Sequence, residues 1–299
     1  MIISKAENIS LGQALRFKIK DYMELVKLRL SFLVIFSSAF GFILGSVGSI
    51  DWFTLVMFSI GGFLVSGASI TINQIAEKDY DKLMKRTSNR PLPTGRVDNS
   101  EAISFATIIG VAGLTILLIY TNLFTVLLSL ASMLLYSFVY TPLKRVGPIA
   151  VLVGAFPGAL PPLLGWVAAT GAISYEALII FGIQFIWQFP HFWAIAWIAD
   201  EDYKKAGFKL LPSGGKKDFN TAIQIMIYTL FLIPLGLLPA KFGLTGINSA
   251  IVATVCGVLF LSQTFWLMKE GSRKAALKIM YGSFLYLPVV QVAYLLDKI

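Results

Sequence analysis

The chain has 299 residues, 57% of them hydrophobic and only 14% charged, against about a quarter charged in a soluble domain. With a mean hydropathy of +0.76, this excludes a soluble fold and makes the bilayer the main solvent. The net charge of +9 falls in loops, where membrane proteins collect Lys and Arg, so no nucleic-acid partner is expected. The single cysteine, Cys256, lies in an apolar run and excludes both a disulfide framework and a cysteine-based metal site.

Residues 1–29 contain Glu7, Asp21 and Glu24 and lack a continuous apolar core, which argues against a signal peptide. Leu11, Leu15, Ile19, Tyr22 and Val26 recur at helical spacing among Lys and Arg. That pattern predicts a cytoplasmic segment whose helix lies on the membrane surface. Residues 30–299 read as one membrane domain.

A helix needs about 20 apolar residues to cross the hydrocarbon. Stretches near 30–48, 53–75, 101–120, 123–141, 148–168, 177–198, 221–240, 247–268 and 279–297 qualify, the third and fourth divided only at Thr121-Asn122. The basic residues test this count. With nine spans, only Lys241 and Lys298 of the 25 Lys and Arg fall on the outer side. A wrong count would scramble that asymmetry. The reading is a multi-pass protein of the inner (plasma) membrane, N-terminus cytoplasmic and C-terminus outside.

After the second span, Asn73, Glu77 and Asp81 fall at i, i+4 and i+8. On a helix continuing from that span they share one face, about 6 Å apart per step, with Ser66 and Ser69 below them. Such a stack reads either as a solvated helix end with i,i+4 ion pairs or as a Mg²⁺ site. In the second case Mg²⁺ takes one or two carboxylates plus phosphate oxygens, and nearby Lys and Arg hold the remaining charge.

A second acidic run, Asp200-Glu201-Asp202, emerges from the sixth span. Four spans separate the two runs, so both reach the same surface, as weakly repeated halves facing one cavity would require. Within the sixth span Gln184, Gln188 and His191 form a polar stripe, and Asp202 lies 18 residues, five turns, beyond Gln184. A straight helix would carry Asp202 on the same face, with Pro190 bending it. The stripe predicts a polar-lined shaft below an acidic mouth, with Phe185, Trp187, Phe189, Phe192 and Trp193 around it.

His191 is the only histidine. It reads as an interhelical hydrogen-bonding residue, as a substrate contact or ligand, or as an acid–base group. Gly154, Pro157, Gly158, Pro161, Pro162 and Gly165 in the fifth span read as shape, a kinked and closely packed helix.

The N-x3-[DE]-x3-D run at Asn73, Glu77 and Asp81, the second acidic run and the nine spans resemble the UbiA-type intramembrane prenyltransferases. Asp81 to Thr87 with Asn89 to Pro93, Tyr140 to Arg145, Pro190 to Trp193 and Asp202 to Gly207 are similar to its haem-farnesylating members. Glu77 stands where the family usually has Asp. The resemblance implies an all-α bundle of nine transmembrane helices around a central cavity open to the bilayer. It also implies farnesyl diphosphate as donor, haem B as acceptor, Mg²⁺ as cofactor, haem O as product and haem A synthase as a downstream partner.

On this basis Asn73, Glu77, Asp81 and Asp202 are the expected metal and catalytic residues. Lys82, Arg86, Arg90, Lys144, Arg145 and Lys205 are expected on the diphosphate, Lys144 also in catalysis. Trp187, Gln184, Gln188 and His191 are expected on the acceptor. A prenyltransferase for a quinone-ring precursor is the nearer alternative, and a secondary transporter for an anionic metabolite the more distant one. Transporter sites sit near the midplane at broken helices, whereas these acids sit at helix ends.

Overall fold

In the hydrocarbon no water bonds the backbone, so each apolar run must satisfy its own N–H and C=O groups as a helix. The computed structural model describes residues 11–299. Among them α1 (Leu11–Leu25) precedes α2 (Leu28–Gly45), α3 (Trp52–Asp81), the short α4 (Pro91–Thr94) and α5 (Asn99–Tyr120). Then come α6 (Leu123–Leu134), a π-helical turn over Leu135–Tyr140, and α7 (Thr141–Leu143). The rest is α8 (Ile149–Thr170), α9 (Tyr175–Ile198), α10 (Asp200–Lys205), α11 (Phe219–Lys241), α12 (Ile247–Glu270) and α13 (Arg273–Leu296). Among the described residues nine helical stretches are long and apolar enough to cross a membrane, α6 and α7 counting as one.

Short polar caps make the tight turns possible. The side chains of Asp51, Asp98, Asn122, Ser174, Asp218 and Ser272 each accept the backbone N–H three residues on. The break at Thr121-Asn122 is one of these: Asn122 caps α6 through Thr125 N and also donates to Val167 O at 2.8 Å. At the opposite ends of the chain, Lys298 Nζ donates to Ile43 O at 2.9 Å and to Ser46 O. The exits of the first and last spans therefore share one face, as an odd number of spans demands.

α8 stays helical through Pro157, Pro161 and Pro162. It packs backbone to backbone on α2. A Cβ on Gly165 would strike Ser38 O, and one on Gly41 would strike Pro162 O. Small residues at such contacts let helices approach closely where no hydrophobic effect drives them together.

On the surface, α1 docks against α4 and α5. Arg96 bonds Asp21, Glu24 (2.8 Å) and Asn89 O (2.7 Å), while Lys18 meets Glu101 at 2.8 Å and Tyr22 stacks on Phe105. Leu15, Ile19 and Met23 remain exposed at i, i+4 and i+8, the stripe of an interfacial helix. Residues 1–10 of the expected N-terminal segment lie outside the described residues.

One expectation fails. α9 passes through Pro190 but ends at Ile198, and Ala199 (φ −96°, ψ 11°) turns the chain into α10. Asp202 therefore does not continue the Gln184 face of a straight helix.

Candidate active site

α3 runs to Asp81, so Asn73, Glu77 and Asp81 do lie on one helix, and all three are buried. The solvated-end reading of this stack therefore fails. They border a cavity of about 470 Å³ that descends between the helices and is also lined by Arg86, Arg90 and Lys144. Glu77 Oε1 meets Lys144 Nζ at 2.7 Å, and Asp81 Oδ2 meets Arg90 at 2.7 Å. Asn73 Nδ2 donates to Thr141 Oγ1 at 2.8 Å. Asp81 Oδ1 is buried without a hydrogen-bond partner among the described residues. A buried carboxylate oxygen left open costs free energy unless something cationic or protic completes it.

The second acidic run does different work. Asp202 accepts the backbone N–H groups of Lys85 and Arg86, both at 3.3 Å, with Lys205 Nζ at 3.6 Å. Burial works against its charge, but those two N–H groups together with the Lys205 ammonium outweigh it and hold its pKa below the usual carboxylate range. Asp202 thus clamps the loop after α3 to the loop after α9. It does not border the cavity, and no group of three or more His, Cys, Asp and Glu converges on one point among the described residues. Lys82 pairs with Asp79, Arg145 stacks over Tyr80, and Lys205 stays with Asp202. None of these three expected diphosphate residues lines the cavity.

Lys27 does line it, although the sequence offers it only as one more loop cation. Among the described residues its side chain has neither ion pair nor hydrogen bond, and its backbone sits at φ 47°, in the left-handed region. Burial, with Arg90 and Lys144 nearby, pushes its pKa down to about 7. For Lys144 burial also disfavours the charge, but the Glu77 carboxylate outweighs it and raises the pKa.

Deeper in the cavity, the polar stripe of α9 serves the kinked helix. Pro162 has no N–H to give Gly158 O, four residues earlier. Gln184 Nε2 and Gln188 Nε2 donate to that carbonyl instead, at 2.9 and 2.8 Å. Gln184 Oε1 accepts from Ser37 Oγ (2.7 Å) and Gln291 Nε2 (3.0 Å). His191 Nδ1 lies 2.8 Å from Ser283 Oγ, and the His191 ring stacks on Trp187 at 4.5 Å. Ser283 and Gln291 sit on α13, too far along the chain for any local pattern to pair them with α9.

Of the aromatic residues expected around the shaft, only Trp187 and Phe192 border the cavity. Phe189 and Trp193 pack on Tyr228, and Phe185 on Phe156 and Phe181, because the opposite face of α9 is covered by α8 and α11. Tyr136, Tyr140 and Phe284 join the lining from other helices. The result is a cationic mouth with open carboxylate valence above an aromatic shaft. It suits a ligand with a polyanionic head and a long apolar tail.

A profile of the UbiA prenyltransferase family matches residues 34–287. The chain is 55% identical to a protoheme IX farnesyltransferase of Cytophaga hutchinsonii, over 93% of this chain and 97% of that one. It is 36% identical to a protein of the same name from Solibacter usitatus, over 93% and 99%. Among solved structures it is similar to digeranylgeranylglyceryl phosphate synthase, with TM-score 0.78, 22% identity and coverage of 94% and 98%. It is also similar to a UbiA homologue from Archaeoglobus fulgidus bound to GPP and Mg²⁺, with TM-score 0.66, 18% identity and coverage of 92% and 99%. At those identities the two structures speak for the fold alone. The family match over most of the chain, on a bundle built around this cavity, means that the protein belongs to the UbiA prenyltransferase family.

Proposed function

We propose that the protein transfers the farnesyl group of farnesyl diphosphate to a vinyl group of haem B, releasing diphosphate, and that water then adds to the resulting cation and loses a proton to give haem O. The observation that carries this reading is the mouth itself. Glu77, Asp81, Arg86, Arg90 and Lys144 stand directly over a cavity walled by Trp187, Phe192, Tyr136 and Tyr140. The relatives' name, protoheme IX farnesyltransferase, supports the choice of donor and acceptor.

Two buried carboxylates one turn apart, one with an open oxygen, fit Mg²⁺, which takes one or two carboxylates and completes its shell with phosphate oxygens and water. Glu77 and Asp81 would hold it, with Asn73 one turn below. When bound, Mg²⁺ supplies Lewis-acid neutralisation of the diphosphate. Arg86, Arg90, Lys144 and Lys27 bind the remaining phosphate charge and so make diphosphate a better leaving group. Asp202 acts one step back, fixing the backbone at Lys85 and Arg86 so that the Arg86 side chain meets the mouth. Beneath, the ring faces of the shaft stabilise the developing allylic cation, and its walls keep water away until the vinyl group has reacted.

The cluster of bases around this mouth supports a reading in which it opens on the cytoplasmic side of the plasma membrane, with the N-terminus inside and the C-terminus outside. The test is direct. Purified protein in detergent, given haem B, farnesyl diphosphate and Mg²⁺, should form haem O, detected by mass. No haem O, with prenylation of a quinone-ring precursor instead, would overturn the acceptor.

A further inference from the structure

We propose that His191 Nε2 is the axial ligand to the acceptor's iron and that Ser283 is the positioning residue that aims it. This rests on the reading of the acceptor as haem B.

Ser283 decides the tautomer. A serine hydroxyl carries one proton, and Ser283 Oγ donates it to Met280 O at 2.6 Å. Toward His191 it offers a lone pair, so Nδ1 must be the protonated nitrogen that donates across the 2.8 Å contact. A neutral imidazole protonated at Nδ1 keeps its free lone pair on Nε2. That nitrogen has no partner among the described residues, although His191 is only 8% exposed and lines the cavity. Nε2 is not sealed in the packing: it is the ring nitrogen left open to a ligand in the cavity. A histidine that ligates a metal shows the arrangement seen here: one nitrogen tied to an outer partner, the other free.

The ring is also held in place. Trp187 covers one face at 4.5 Å and 14°, and Trp187 is itself pinned by Nε1 donating to Ser283 O at 3.0 Å. Phe284 meets the ring edge at 5.0 Å. One residue, Ser283, thus fixes both rings through its hydroxyl and its carbonyl. His191 lies seven residues before the end of α9, about 10 Å below the mouth by helical rise. A porphyrin anchored there by its iron would lie below the diphosphate site, in the part of the cavity that Trp187 and Phe192 line.

The test titrates the purified full chain in detergent with haem B and with metal-free protoporphyrin IX. Resonance Raman spectra of the ferrous haem complex are recorded alongside. The wild type should bind haem at least about 10-fold more tightly than the metal-free ring and show an iron–histidine stretch. His191→Ala should lose both the preference and the stretch, and added imidazole should restore the stretch. Ser283→Ala should keep the ligand but weaken haem binding by about 10–100-fold. A wild type that makes haem O with no preference for the iron porphyrin and no iron–histidine stretch overturns the assignment and leaves the acceptor reading standing. A wild type that binds neither porphyrin and makes no haem O overturns that reading and the assignment with it.

Discussion

Lys144 Nζ lies 2.7 Å from Glu77 Oε1, so the loop after the fourth span delivers its cation to the carboxylate of the second. The two are joined by a contact that no local pattern announces. Removing the cation alone leaves Glu77 charged in a poorly solvated wall. Lys144→Ala should therefore lower stability by about 2 kcal/mol, less than the loss for a sealed pair because the cavity admits water. The double variant Glu77→Gln/Lys144→Met should regain most of that stability but no turnover. Unfolding in detergent together with haem O formation reads both. If Lys144→Ala unfolds like wild type, the pair is not a structural one.

Asp81 is fully buried and paired with Arg90, so truncating it to alanine would strand an arginine as well as remove a ligand. Asp81→Asn is the cleaner test, because the amide oxygen still accepts from Arg90. It should abolish turnover while the protein stays folded, and EDTA should inhibit the wild type until Mg²⁺ is restored. Full activity in EDTA would remove the metal from the site.

Lys27 carries two opposed effects. Its left-handed backbone costs of order 1 kcal/mol that glycine would not incur. Lys27→Gly should therefore raise stability while weakening farnesyl diphosphate binding. The pH dependence follows from the same side chain. Its pKa in the free protein is about 7, and a bound anion favours the charged form and raises it. Binding then takes up a proton, so the Lys27 contribution is fully present below pH 7 and is lost as pH rises above it. Lys27→Arg, always charged, should bind with a flatter profile between pH 7 and 9. Equal slopes for the two proteins would show that Lys27 stays out of the phosphate site.

The bundle is legible in the chain because span length and basic asymmetry are one-dimensional signals, set by the bilayer thickness and by topology. The acid stack on α3 is legible for the same reason, since i, i+4 and i+8 lie on one helix. The second acidic run is not, because the single non-helical residue Ala199 redirects Asp202 from the cavity to the backbone of Lys85 and Arg86. Periodicity has no means of foreseeing that turn. Lys27, Ser283 and Gln291 stay hidden for another reason: Ser283 and Gln291 gain their roles from partners on a distant helix, and Lys27 from a cavity that distant helices build around it. Their residue types are ordinary where they stand. The polar stripe was visible, but its first duty is structural. It answers a carbonyl that a proline on another helix leaves unbonded.

The orientation of the membrane domain has its own test. In a Cys256→Ala background, cysteines at the exposed positions Asn89 and Lys216 should react with an impermeant reagent only from the cytoplasmic side. A cysteine at exposed Ala172 should react only from outside. Reaction of Asn89→Cys and Lys216→Cys from opposite faces would separate the two loops that Asp202 joins.

The link between Gln188 and Pro162 is the most exacting, because the two side chains interact only through a third residue's carbonyl. Gly158 O accepts from Gln188 Nε2 at 2.8 Å and Gln184 Nε2 at 2.9 Å, in place of the N–H that proline lacks. Gln188→Leu removes one donor and should cost about 0.6 kcal/mol, the usual size of a side-chain hydrogen bond between membrane helices. Pro162→Ala supplies the missing backbone N–H, which then closes the helical bond to Gly158 O and makes Gln188 redundant. In that background Gln188→Leu should cost nearly nothing, so the cycle should show a coupling close to the single-variant loss. The measurement is unfolding of all four proteins in detergent. Additive losses would mean that the glutamine stripe is held for the cavity alone and that the proline-freed carbonyl is not what it answers.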